Sequence, residues 1–346
     1  MSPTPSVHSA APTRRSRPAP VALWAVLTAL VVGLTACGGT SSSEDDSSDS
    51  ASGAASGAFP ATVATKFGDV TVEQQPKRVV ALGWGDAEAA LALGVRPVGA
   101  SDWLAFGGDG VGPWAKGLYK KSPQIIGTLE PEFEKIAALE PDLILDTKSS
   151  GAQERYDTLS KIAPTIGVPQ GGDQYKISWE KQTEMVSTAL GVADKGKQLI
   201  AATEKKFAAA VAAHPEFKGR TITLGSRTGS AFGAYVHGTG RVDFVERLGF
   251  KNSPDIDAKA GDSFSITISR ENLDLLDADL TVMTPIGVDA KKITDDPLYK
   301  AVPSVKVGNS VVFDDENLSS AFATDSVLSV AYALEKVVPL FAEPLK

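Results

Sequence analysis

The segment 134–145 returns 137 residues further on as 271–282, and this internal repeat limits the folds open to the chain. Glu134 corresponds to Glu271, Ile136 to Leu273, Leu139 to Leu276 and Asp142 to Asp279. In the first copy a short amphipathic helix buries Ile136 and Leu139, Pro141 stops it, and Leu143-Ile144-Leu145 reads as a buried strand. A second correspondence lies upstream of each copy. Arg78-Val79-Val80-Ala81-Leu82-Gly83 is answered by Arg220-Thr221-Ile222-Thr223-Leu224-Gly225, and Leu93-Gly94 by Leu248-Gly249. Strand, helix and strand alternate with glycine stops, and Asp86 stands where a helix N-cap is expected. Two matches in the same order predict an α/β chain of two pseudo-repeated lobes in tandem.

Between the copies the pattern is helical. A helix is expected over 179–190, broken at Gly191, and a second over 193–213, interrupted only by Gly196. Leu199, Thr203, Phe207 and Val211, spaced by four, give it one apolar stripe. At 1.5 Å per residue this helix spans roughly 30 Å, a stiff strut between lobes. Another helix is expected over 325–340.

The first 58 residues are of a different kind. Arg14, Arg15 and Arg17 precede an uncharged apolar run over 21–34, too short for the ~20 residues that span a bilayer core. Leu34-Thr35-Ala36-Cys37 then resembles a bacterial lipobox, which makes Cys37 the expected site of lipidation. Residues 38–58 are nearly all Gly, Ser, Ala, Thr, Asp and Glu and read as a tether, roughly 70 Å if fully extended. The expected organisation is a signal peptide over 1–36, lipidated cysteine and tether over 37–58, a first lobe over 59–190, a connecting helix over 191–214 and a second lobe over 215–346. The net charge is −8, and about −11 without the three signal arginines, which disfavours nucleic acid as a partner. Cys37 is the only cysteine, so no disulfide or thiolate chemistry is available to the folded part.

Several runs carry a family resemblance: Pro76-Lys77-Arg78-Val79-Val80-Ala81-Leu82, the stretch from Leu91 through Gly94-Val95-Arg96-Pro97 to Gly99, Glu140-Pro141-Asp142-Leu143-Ile144, Ile162-Ala163-Pro164-Thr165, and Asp296-Pro297-Leu298. They resemble the helical-backbone substrate-binding proteins of ABC importers, within them the iron–siderophore binding lipoproteins. The resemblance implies a monomeric, lipid-anchored receptor that holds a ferric siderophore between its lobes and delivers it to a membrane permease with its ATPase. It implies no resident cofactor and no catalysis. It further implies that Glu134 and Glu271 dock the permease.

A ferric chelate is already saturated by its own donors, so the protein is expected to offer aromatic walls and a cation, with no metal-ligating side chain. Open α/β sheets bind ligands beyond the C-terminal ends of their strands. Trp84 follows the first strand there and Trp103 the second. In the second lobe Arg227 holds the position matching the Trp84 loop, and Tyr235 and Phe264 lie in following loops. These five are the candidate ligand-binding residues. Arg241 reads as the start of a helix and is left out. Haem or cobalamin in the same fold is an alternative, with His237 or Tyr235 as an axial ligand for haem. A bare metal site is disfavoured because His237 is the only histidine expected near the cleft. An exported enzyme is a further alternative, but the chain has no G-x-S-x-G, H-E-x-x-H or P-loop motif.

Overall fold

A computed structural model describes residues 58–127 and 130–346. The expected signal peptide, Cys37 and nearly all of the tether lie outside the described residues. Among those described, no helix is long and apolar enough to cross a membrane.

An antiparallel hairpin of β1 (Ala61–Thr65) and β2 (Gly68–Val72) opens the fold. The first lobe is a parallel sheet of β3 (Val79–Ala81), β4 (Gly99–Ala100), β5 (Gln124–Ile125), β6 (Leu143–Leu145) and β7 (Thr165–Ile166), in the order β5-β4-β3-β6-β7. Its strands are apolar on both faces, as a sheet covered on both sides requires. Val79, Ala81, Leu143 and Leu145 point into one core, whereas Val80, Leu82 and Ile144 point into another with Ile126, Ile136 and Leu159. Helices α1 (Asp86–Ala92), α2 (Phe133–Ala138) and α3 (Gln153–Leu159) connect the strands.

After α4 (Trp179–Ala189) and a turn at Gly191, α5 (Ala193–Ala213) runs for 21 residues. A Cβ at Gly196 would lie 2.1 Å from Ser187 Oγ, so only glycine lets α4 and α5 approach this closely. Leu199 packs against the cores of both lobes, and Thr203 and Phe207 are buried. Val211, expected in the same stripe, is 40% exposed.

The second lobe contains β8 (Thr221–Arg227), β9 (Phe232–Tyr235), α6 (Gly240–Arg247), β10 (Lys251–Asn252), β11 (Ser265–Ile268), β12 (Leu280–Pro285) and β13 (Ser310–Val312). The sheet order is β11-β9-β8-β12-β13, with β10 beside the start of β8. The repeat is visible in the two lobes. Leu93 caps α1 and Leu248 caps α6, each followed by a glycine at positive φ. Asp142 accepts hydrogen bonds from the Lys77 and Arg78 amides at 2.8 Å, and Asp279 accepts one from the Thr221 amide at 2.7 Å. The repeated aspartate thus clamps the start of the neighbouring strand in both lobes. The copies differ in that Arg270–Leu276 is a 3₁₀ segment, where the first lobe has an α-helix.

Two departures from the sequence reading shape the cleft. In the first lobe the chain turns from β3 into α1, but β8 continues to Arg227 and returns as β9. Near the C-terminus a helix that the sequence reading did not include, Glu316–Thr324, comes first, and the single helix expected over 325–340 is two, Val327–Lys336 and Val338–Ala342. Asp325 adopts φ 48°, ending the first, and Ser326 caps the second in a capping box with Ser329. Helix Val327–Lys336 packs along α5 and also against α1 and the turn Pro113–Ala115 of the first lobe. The lobes are therefore joined by more than the strut.

Candidate functional site

Trp84 leaves the end of β3 held by its backbone. Its amide donates to Lys148 O (2.9 Å), and its carbonyl accepts from Gln182 Nε2 (2.8 Å). Its ring stacks on Trp103 (centroids 4.0 Å apart, 8° between planes) and on Tyr175 (3.9 Å, 18°). All three rings are half-buried. Gln174 and Tyr175 both have positive φ, at 56° and 62°, an uncommon conformation for non-glycine residues that tends to mark functional sites. Amide bonds to Ser150 O and Ser149 O hold them there.

From the second lobe Phe264 meets Trp84 edge to face at 6.0 Å, and Tyr235 meets Phe264 the same way at 5.7 Å. The Arg241 guanidinium lies 4.3 Å above the Tyr235 ring. The result is a ladder of five rings running from lobe to lobe and ending on a cation. Arg241 is only 7% exposed, and its Nε has no hydrogen-bond partner. No carboxylate pairs with it among the described residues.

Of the five candidate ligand-binding residues, Trp84, Trp103, Tyr235 and Phe264 are thus brought together. Arg227 is not with them. It pairs with Phe232 across the β8–β9 ladder, so the two share a sheet face, and Tyr235, three residues on from Phe232, lies on the other. Its guanidinium sits 4.7 Å over Phe232 and donates to the Thr228 carbonyl. The correspondence with the Trp84 loop fails because β8 is longer than β3. Tyr175 and Arg241 were missed. Tyr175 follows Gly171-Gly172, and an aromatic residue in a loop with paired glycines was the available signal. Arg241 does start a helix, but a first-turn side chain can still project back over the preceding strand. Trp114 is structural, donating to buried Glu88 at 2.7 Å and packing on Tyr332.

A buried polar layer lies under the ladder. Asp86 accepts from the Gly83 and Thr147 amides, the Thr147 hydroxyl and Gln182, and burial pushes its pKa up to about 6. Asp146, also pushed up by burial, takes a two-pronged contact from Arg155 at 2.9 and 2.6 Å. Lys148 reaches across to the second lobe, donating to Asp325 Oδ2 (2.8 Å) and its carbonyl (2.9 Å). Glu88 accepts from the Ser326 hydroxyl. The turn at Asp325-Ser326 fits between Gly85, where a Cβ would be 3.2 Å from Ser326 Cβ, and Gly240, where one would be 2.2 Å from Asp325 Oδ2.

Glu134 and Glu271 are both exposed in the first turns of equivalent segments, and neither has an ion-pair partner among the described residues. Their neighbours are paired: Glu132 with Lys135, and Arg270 with Asp296.

These features define a class: a two-lobed α/β protein whose lobes meet at a ladder of aromatic side chains. Comparison with known proteins agrees. The chain belongs to the periplasmic binding protein family, whose model matches residues 79–317, and is a solute-binding protein, not an enzyme. It is 30% identical over 321 residues to YfiY of Bacillus subtilis, named a probable siderophore-binding lipoprotein, covering 85% of this chain and 90% of the relative. It is 27% identical to the petrobactin-binding protein YclQ of the same organism, over 84% of this chain and 89% of that one. Among solved structures, Streptococcus pneumoniae PiaA in complex with ferrichrome superimposes with a TM-score of 0.70 at 28% identity, covering 82% of this chain and 98% of PiaA.

Proposed function

We propose that this chain is the extracytoplasmic, lipid-anchored substrate-binding protein of an ABC importer and that its ligand is a ferric siderophore. The observation that carries the reading is the ring ladder of Trp103, Trp84, Tyr175, Phe264 and Tyr235 ending on Arg241, a buried guanidinium with no carboxylate partner among the described residues. Flat faces suit the organic shell of a chelate, and an unmatched guanidinium suits an anionic oxygen at its edge. Relatives named for siderophores, and the ferrichrome complex of PiaA, support the same class of ligand. Arg227, at the end of β8, is a second cation that a large ligand would reach. Cys37 would carry the lipid, the monomer would be the working unit, and Glu134 and Glu271 would dock the permease and its ATPase.

Tryptophan fluorescence tests this directly, since two indoles stand in the ladder. Titration with ferric hydroxamate, catecholate and citrate chelates, haem and cobalamin should give saturable quenching with one ferric chelate class at micromolar affinity or tighter. A response to haem or cobalamin alone would reject the siderophore. For docking, Glu134→Ala with Glu271→Ala should leave that affinity intact and stop import; full import by the double variant would reject the role.

A further inference from the structure

Beside the ligand cleft lies a second group of side chains that the siderophore reading does not use. Asp243 and Glu246, three apart on α6, share one face of the helix. Gly238, at φ 81°, turns the chain between β9 and α6 so that His237 folds back over them. His237 Nδ1 lies 3.0 and 3.3 Å from the two Glu246 carboxylate oxygens. One ligand atom from each of His237, Asp243 and Glu246 falls within 4.8 Å of the others. Asp243 is half-buried, yet it makes no side-chain hydrogen bond or ion pair among the described residues.

We propose that His237, Asp243 and Glu246 form a binding site for a divalent transition metal, distinct from the iron carried inside a chelate. The donor set, one imidazole nitrogen and two carboxylate oxygens, suits Zn²⁺, Co²⁺ or Mn²⁺. Metal–ligand bonds of ~2.1 Å place donors about 3.4 Å apart in a tetrahedral site, so His237 and Glu246 are already close enough. Asp243 needs only a side-chain rotation of an ångström or so. The His237 side chain is 70% exposed, which leaves open positions for water. The loop is braced from behind: Asp257 Oδ1 accepts from the His237 amide (2.9 Å) and from Asn252 Nδ2 (2.8 Å), and the Thr239 hydroxyl donates to Val236 O (2.8 Å). Such outer contacts fix a ligand loop in place. The site is two residues from Tyr235 and brackets Arg241 in sequence, so its occupancy stiffens the second-lobe end of the ladder.

The test is calorimetric titration of the untagged protein with Zn²⁺, with Co²⁺ absorption as a probe of the ligand set. One equivalent should bind at micromolar affinity or tighter, and His237→Ala and Glu246→Gln should each weaken it tenfold or more. Both substitutions are at solvent-accessible positions, and an unchanged melting temperature of the metal-free variants would exclude misfolding. Binding weaker than millimolar, or affinity indifferent to both substitutions, would overturn the proposal. It does not rest on the siderophore reading, because the same variants should still quench with the ferric chelate.

Discussion

At the scale of single residues, the cleft shows which side chains a sequence can place. Trp84 and Trp103 were legible because a bulky ring just beyond a strand end has few places to go except the cleft. Tyr175 was not, because its placement depends on two consecutive left-handed residues that no local pattern announces. The choice between Arg227 and Arg241 turned on strand length: β8 has seven residues where β3 has three, and its pairing with β9 puts Arg227 on the sheet face away from Tyr235. Arg241, buried on Tyr235 with an unpartnered Nε, is then the guanidinium whose charge a ligand would meet first. A hydrogen bond to a charged group is worth about 1.5–3 kcal/mol. Arg241→Gln is therefore expected to weaken binding of the ferric chelate at least tenfold, and Arg227→Gln by less, in parallel equilibrium titrations. The reverse order would return Arg227 to the centre of the site.

At the scale of elements, the repeat was readable because the same physical task recurs. A short helix must end, a strand must begin, and an aspartate at the junction must tie that strand to its neighbour, as Asp142 and Asp279 do. At the C-terminus the helix read from Asp325 starts at Val327, whereas the preceding helix Glu316–Thr324 was not read, and the turn between the two serves the other lobe. Asp325 and Ser326 interrupt an otherwise continuous apolar pattern so that one can pair with Lys148 and the other with Glu88. The Lys148–Asp325 pair is almost fully enclosed, at 4% and 6% side-chain exposure. Removing one partner of such a pair leaves a buried charge and costs about 3–5 kcal/mol. Lys148→Met should lose stability of that order in chemical denaturation, and adding Asp325→Asn should restore part of it. Asn tolerates the positive φ of position 325. A double variant no more stable than Lys148→Met would show that the pair is not the source of the loss.

At the scale of the molecule, the buried acids between and beneath the lobes set how stability responds to pH. Burial holds Asp86 up at about 6 and raises Glu88 and Asp146 as well. Asp86 keeps its proton in the folded state at a pH where the unfolded chain has released it, and the raised groups act in the same direction. The Asp86 contribution is full below the ordinary carboxylate range and is lost as pH rises through about 6. Glu132 and Asp296, held low by hydrogen bonds from Lys135 and Arg270, act oppositely, but only as pH falls below the ordinary range. The denaturation midpoint should therefore be higher at pH 5 than at pH 7.5, and equal midpoints would contradict the assignment. The two-lobed plan was legible from the repeat and the strut, whereas this seam was not, because its partners lie far apart in sequence. Across it the ring ladder joins the lobes, and its central member is Trp84. The decisive measurement is the dissociation constant of the ferric chelate for the native protein and for Trp84→Ala. If the ladder is the binding surface, the substitution weakens binding tenfold or more, about 1.4 kcal/mol, while Trp114→Phe leaves it unchanged. Equal affinity in Trp84→Ala and the native protein would place the ligand elsewhere.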